Sequence, residues 1–278
     1  MVFKLSVKAR LQGSDPHDST SSLVAFVCAL ILSPVWQSAH GDSLPDTIEK
    51  IRPSIVGVGT AYPPRQPNRK GDTVSYHGTG FVVGNGKQIV TNAHVVAMKL
   101  DHKNRQSLAI FTGHGSDATV RFAQLVSTDH EHDLALLSFK GSALPALTLG
   151  DSSRVREGQD IAFTGFPIGI VLGLYPVTHR GIVAAISPLA RPMEKARSIN
   201  PAQRHRLRNP YDVFQLDGTA YPGNSGSPVY LPGTGEVIGV INSVAVKKTK
   251  ESLLKNPSGI TYAIPASHIQ MLFDAAPQ

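Results

Sequence analysis

Gly223-Asn224-Ser225-Gly226-Ser227-Pro228 is a glycine-rich turn that runs directly into the short apolar segment Pro228–Leu231. A turn feeding a strand, with a hydroxyl between two residues that carry no Cβ bulk, is the feature around which the rest of the chain can be read. On either side lie further short, β-branched segments bounded by Gly, Pro, Asn or Asp: Gly80–Val83, Gln88–Thr91, Ser107–Phe111, Leu134–Phe139, Asp160–Thr164, Gly181–Ile186, Val213–Leu216, Val237–Val244 and Ile260–Ile264. Such spacing suits a β-sandwich or β-barrels. Two helical patterns frame them: Asp46–Ile51, ended by Pro53, and Pro265–Ala275, where Ile269, Leu272 and Phe273 recur at helical spacing.

Composition agrees. The 278 residues are 41% hydrophobic and only 17% charged, with 25 glycines and 20 prolines, a balance of strands and turns more than of long surface helices. That length holds one large β domain or two small barrels. Leu147-Thr148-Leu149 gives way to the polar stretch Gly150 to Gly158 and then to a new set of strands, so the expected halves are 40–150 and 151–278.

The first 39 residues read as an export leader. Lys4, Lys8 and Arg10 precede an uncharged apolar run of 14 residues, Leu23 to Trp36, followed by Ser38 and Ala39. A membrane-crossing helix needs about 18 to 20 residues, so a cleaved signal is expected in place of an anchor, and with it a periplasmic or secreted protein. The single cysteine, Cys28, lies inside this run, which leaves the remainder without thiol or disulfide.

Three local patterns carry chemistry: Thr91-Asn92-Ala93-His94-Val95-Val96 after an apolar strand, Asp133-Leu134-Ala135-Leu136-Leu137 at the start of another, and the Ser225 turn. Each alone has an ordinary structural explanation, as a polar residue with a backbone partner, a strand-edge charge, or a turn. Together they supply the parts of serine acyl transfer. His94 would act as general base and then acid, Asp133 would orient its ring, and the N–H groups of Gly223 and Ser225 would face the oxyanion. The chain order His, Asp, Ser excludes an α/β-hydrolase, which runs Ser, acid, His through alternating strands and helices.

The chain resembles the trypsin-like serine peptidases, and within them the bacterial Deg/HtrA protease domain, from about Leu44 to Leu272. The resemblance lies in Ile51-Arg52-Pro53-Ser54-Ile55-Val56, Gly78-Thr79-Gly80-Phe81-Val82-Val83, Gly165-Phe166-Pro167-Ile168-Gly169, Gly181-Ile182-Val183, Phe214-Gln215-Leu216-Asp217, the serine turn, and Tyr262-Ala263-Ile264-Pro265. It implies an all-β fold of two six-stranded antiparallel β-barrels, with a short N-terminal helix and a C-terminal helix, His94 and Asp133 coming from the first barrel and Ser225 from the second. It also implies a serine endopeptidase that forms an acyl-enzyme. The alternative is a catalytically silent scaffold of the same fold that binds peptides or partner proteins.

Departures from the pattern shape further expectations. Deg relatives commonly continue into peptide-binding PDZ domains, whereas this sequence stops at Gln278, so a bare protease domain is expected. Ser227 stands where that group usually has Gly, as in glutamyl endopeptidases, yet no histidine occurs between Arg206 and Ser267 to bind an acidic side chain. Asn224 replaces the Asp that digestive enzymes pair with a newly freed N-terminus, and a neutral amide makes no such ion pair; activity without zymogen cleavage follows. By the family's layout Thr219, Ala220, Asn242 and Ser243 line the primary specificity pocket; none is charged, which points to small or medium apolar side chains over Arg or Lys.

The net charge of +7 is concentrated. Arg191, Lys195, Arg197, Arg204, Arg206 and Arg208 face a single Glu194 between Leu189 and Pro210, and Lys247, Lys248, Lys250 and Lys255 surround Glu251. These stretches are either solvated loops or surfaces that attract acidic or unfolded polypeptides or an anionic membrane surface. Nucleic acid is not an expected partner, because no aromatics interleave the charges. His130 and His132 flank Asp133 without a third ligand at suggestive spacing, so neither a metal nor any other cofactor is expected. The resemblance also raises a homo-oligomer, since trimers are common in the Deg group.

Overall fold

The computed structural model describes residues 42–63, 73–167, 173–189, 211–242 and 260–274. Outside them fall the expected leader 1–39 with Cys28, the expected pocket residue Ser243, Ile168 and Gly169 of the glycine motif, and both basic stretches apart from Leu189. Among the described residues no helix is long and apolar enough to cross a membrane.

The chain enters through helix α1 (Leu44–Ile51), whose start is a capping box: the Ser43 hydroxyl accepts from the Asp46 N–H while the Asp46 carboxylate accepts from the Ser43 N–H. Twelve strands follow in two closed antiparallel barrels, joined in the orders β1-β2-β3-β6-β5-β4 and β10-β11-β12-β9-β8-β7. The first comprises β1 (Ile55–Ala61), β2 (Val74–Val83), β3 (Gln88–Asn92), β4 (Ser107–Thr112), β5 (Thr119–Asp129) and β6 (Leu134–Phe139), with one helical turn, α2 (Ala93–Val96), after β3. The second comprises β7 (Asp160–Gly165), β8 (Val177–Pro188), β9 (Asp212–Asp217), β10 (Pro228–Tyr230), β11 (Val237–Asn242) and β12 (Ile260–Pro265), and helix α3 (Ser267–Asp274) closes the chain. The expected all-β fold is the observed one, with a short helix at each end.

Successive side chains on a strand point to opposite faces, and in these barrels both faces of the inner strands are covered. On β3 Ile89 points into the first barrel while Val90 joins a core shared with the second; on β6 Ala135 and Leu137 point in, and Leu134 and Leu136 point across. The shared core also takes Phe166, Tyr230, Val240 and Ile264 from the second barrel, Ile51 from α1, and Ile269 and Leu272 from α3. Double-sided burial explains why β6 (LALLSF) reads as a nearly continuous apolar run and why Ile89 and Val90 of β3 are both apolar instead of alternating with polar residues. Strand β5 escaped the sequence reading for the opposite reason: Val120, Phe122 and Leu125 are exposed, and of its residues only Ala123 is buried, so no periodic core signal marks it.

Candidate active site

Strand pairing brings the histidine and the aspartate together. β3 and β6 are in register with Asn92 opposite Leu134, so the residues just beyond β3 meet the residue just before β6. The Ala93 N–H and the Asn92 side-chain amide donate to the Asp133 carbonyl at 3.0 and 3.1 Å. Asp133 has φ +56°, a left-handed conformation that folds its carboxylate back over α2. There Oδ1 accepts the His94 backbone N–H at 2.9 Å and Oδ2 accepts from His94 Nδ1 at 2.7 Å. A carboxylate accepts only, so the ring proton sits on Nδ1 and Nε2 is left as the basic nitrogen.

Strand β11 supplies a further donor. The Asn242 side-chain amide reaches Asp133 Oδ2 at 3.0 Å, so this oxygen carries two hydrogen bonds, one from each barrel. The sequence reading placed Asn242 at the specificity pocket and missed this bond, which depends on how β11 sits against the first barrel.

The serine turn joins β9 to β10 and is nearly closed to solvent: Ser225 is 4% exposed and Asn224 fully buried. Gly226 has φ +86°, and a Cβ there would overlap the Thr79 carbonyl and lie 2.5 Å from Thr91 Oγ1, so no other residue fits. Gly223 likewise takes a positive φ of 101°.

Thr79, on β2 of the first barrel, is the centre of this turn's support. Its N–H donates to the Ser225 carbonyl at 2.8 Å. Its hydroxyl donates to the Gly223 carbonyl at 2.7 Å and accepts the Phe166 N–H at 3.0 Å. Its carbonyl accepts the Thr91 hydroxyl at 2.7 Å. The Tyr76 hydroxyl adds bonds to Thr79 Oγ1 and the Phe166 carbonyl at 3.2 and 3.1 Å, and burial pushes this phenol's ionisation far above its ordinary range. Neighbouring Gly78 lies between the two halves of the site: a Cβ there would lie 2.8 Å from Val95 Cγ2, next to His94, and 3.0 Å from the Ser225 carbonyl. Sequence reading quoted Gly78 and Thr79 only as part of a recurring motif; the bonds of Thr79 and the close approach of Gly78 to a turn more than 140 residues away carry no local signal.

The Asn224 amide and the Ser227 hydroxyl are buried without hydrogen-bond partners among the described residues. Neither is charged, which keeps that burial tolerable. At the expected pocket, the Ala220 N–H donates to Thr261 Oγ1 at 2.9 Å and Thr219 is half-buried. His179 stacks on Phe163 with centroids 4.8 Å apart, and burial holds its imidazole below the usual range. Among the described residues no group of three His, Cys, Asp or Glu side chains is placed to hold a metal ion.

The fold is that of the trypsin-like two-barrel proteins, and the comparisons agree. The family model of the trypsin-like peptidase domain matches residues 78–240, more than half of the chain, and the chain belongs to that family. Among curated proteins it is similar to serine protease HTRA1B of Danio rerio, 31% identical over 231 residues, covering 81% of this chain and 39% of that protein. It is similar also to a probable periplasmic serine endoprotease, DegP-like, of Halomonas elongata, 29% identical over 239 residues, covering 86% and 42%. The chain thus spans about two fifths of the length of these relatives. Solved structures of the HtrA-type protease AlgW share the fold: with a decapeptide, TM-score 0.58 and 22% identity, covering 84% of this chain and 68% of that one; with a tripeptide, TM-score 0.57 and 22% identity, covering 84% and 63%.

Proposed function

We propose that the chain is a serine endopeptidase with His94, Asp133 and Ser225 as its catalytic triad. The observation that carries the reading is the grip of Asp133 on His94 through both carboxylate oxygens, at 2.9 Å to the backbone N–H and 2.7 Å to Nδ1. With Nδ1 protonated, His94 Nε2 takes the proton of Ser225 Oγ as that oxygen attacks the scissile carbonyl. The N–H groups of Gly223 and Ser225 receive the negative charge that develops on the carbonyl oxygen. The imidazolium, stabilised by Asp133, then protonates the departing amine, leaving an acyl group on Ser225. Water, deprotonated by the same nitrogen, releases the acid and restores the hydroxyl.

Thr219, Ala220, Asn242 and Ser243 form the primary pocket in this reading, and their lack of charge favours small or medium apolar side chains. Peptide-library cleavage dominated by Arg or Lys would refute that preference. The buried, neutral Asn224 supports activity without zymogen cleavage. The leader 1–39 fits export to the periplasm or the exterior, where unfolded or acidic polypeptides are the substrate class matched to the basic stretches. The peptide ligands named for the AlgW structures support polypeptide substrates here.

Casein cleavage by the wild type and by Ser225→Ala tests the proposal. The expected loss is about a millionfold, by analogy with other triads. Equal and negligible cleavage by two well-folded proteins would leave the peptide-binding scaffold as the better reading.

A further inference from the structure

The turn that presents Asp133 is gripped a second time, by rings that do not touch the reacting atoms. Asp129, at the end of β5, accepts the N–H groups of Glu131 and His132 at Oδ1, at 2.8 and 3.0 Å, and the His132 ring Nδ1 at Oδ2, at 2.6 Å. Burial opposes charge on Asp129, but the bonds from His132 and Glu131 outweigh it and hold the carboxyl below its usual range. The His132 ring is therefore fixed in tautomer and orientation. His268, on α3, stacks on it with centroids 3.8 Å apart and planes 19° from parallel. Tyr211, beside the start of β9, sets its ring edge-on to both, at 4.5 Å from His132 and 5.3 Å from His268. The residue after His132 is Asp133, so one helix and one strand of the second half of the chain close on the turn that delivers the carboxylate to His94.

This arrangement accommodates a neutral His268 and resists a charged one. Its Nδ1 is buried without a partner among the described residues, so a proton there would have no acceptor. The facing groups are His132, which opposes the charge, and Asp129 and Glu131 of the turn, which favour it; the residue before β9 contributes the Tyr211 ring, with Asp212 next in the chain. Burial dominates this balance and holds the His268 ring at about 4. His130, in the same turn, lies 3.4 Å from Thr128 Oγ1.

We propose that the His132–His268 stack is a positioning device for Asp133, which locks the turn while His268 is neutral and loosens it when His268 gains a proton. Catalysis then answers to acidity through a ring that never meets the substrate. The inference rests on the peptidase reading for its catalytic consequence and on the stack alone for its structural one.

The variants His268→Ala and His268→Phe separate the outcomes. Removing the ring lowers kcat roughly ten- to hundredfold, the scale of a small misplacement of a catalytic group, with KM nearly unchanged; Phe, which keeps an aromatic face, restores most of it. Hydrogen exchange of the Ala93 and His94 amides, both bonded to Asp133, quickens in His268→Ala and not in His268→Phe. Below about pH 4 the wild type's log kcat/KM falls with a slope approaching two protons and that of His268→Phe with a slope of one, a comparison that holds even if the alanine variant does not fold. Unchanged kcat and unchanged exchange in a folded His268→Ala protein, or identical acid limbs for wild type and His268→Phe, would overturn the proposal. Failure of the peptidase reading would show separately, as a wild type that cleaves nothing while the exchange difference persists.

Discussion

The two halves of the site are held by different means. His94 and Asp133 are neighbours because β3 and β6 pair, so the bonds at 2.9 and 2.7 Å lie wholly within the first barrel. The Ser225 turn belongs to the second barrel, where the Gly226 N–H donates to the Ile241 carbonyl and the Ile241 N–H to the Ser227 carbonyl, both at 2.9 Å, yet it is also held from outside, by Thr79 and Tyr76 of the first. One half is complete within a single barrel; the other is completed by contacts between the two. Substitutions in the first half should therefore act on the chemistry with the turn intact, and substitutions at the docking contacts should act on stability and turn geometry together.

The largest effect after loss of the nucleophile itself is expected at Asp133. Asp133→Asn keeps the shape but turns an acceptor toward a donor, so His94 is held in the wrong tautomer; kcat should drop about 10⁴-fold, by analogy with the same change in another triad, with a melting temperature close to wild type. A drop of only a few-fold would mean that the carboxylate does not set the tautomer. Gly226→Ala comes next and breaks the other half, because the positive φ and the Thr79 carbonyl both oppose a Cβ. Its expected signature is loss of folded yield or of cooperative unfolding, not a kinetic change in a stable protein. Thr79→Val leaves the Gly223 carbonyl and the Phe166 N–H without the hydroxyl they share. It should cost about 1–3 kcal/mol of stability, read by denaturant unfolding, and lower kcat as the turn relaxes.

Legibility followed the same division. Strand β6, buried on both faces, appears in the sequence as a dense apolar run and β3 as the short pair Ile89-Val90, and the residues beside their ends, Asp133 and His94, could be named from them. The Ser225 turn is marked by its glycines. Strand β5, with Val120, Phe122 and Leu125 facing out, leaves no core signal. Thr79, Asn242 and the His132–His268 stack were missed because each matters through a residue from the other barrel or from α3, and a separation of that kind has no local pattern. Asn242 shows this best: charge and position suggested a pocket wall, and only the docked barrels show its amide on Asp133.

Smaller effects sharpen the comparison. Asn242→Ala removes one of two bonds to Asp133 Oδ2 and leaves the His94 bond in place, so kcat should fall about tenfold or less, the scale of a single net hydrogen bond of about 1 kcal/mol. The acid dependence of stability has a definite sign. His268 is held at about 4, below its ordinary value of about 6.5, so the unfolded chain takes up a proton that the folded one refuses. Its contribution to stability is present above the ordinary value, shrinks as pH falls between these limits, and stops changing below the lower one. Melting temperatures measured across that window should decline more steeply for wild type than for His268→Phe.

In the proposed mechanism a buried serine on a turn of one barrel is made nucleophilic by a histidine from the other. Reaction with a fluorophosphonate, followed by peptide mapping, tests it most directly, since such probes trap an activated serine hydroxyl and leave an ordinary one untouched. The account predicts a single adduct, on Ser225, formed rapidly by wild type and very slowly by Asp133→Asn. An adduct on another residue, or none on folded wild-type protein, would contradict it.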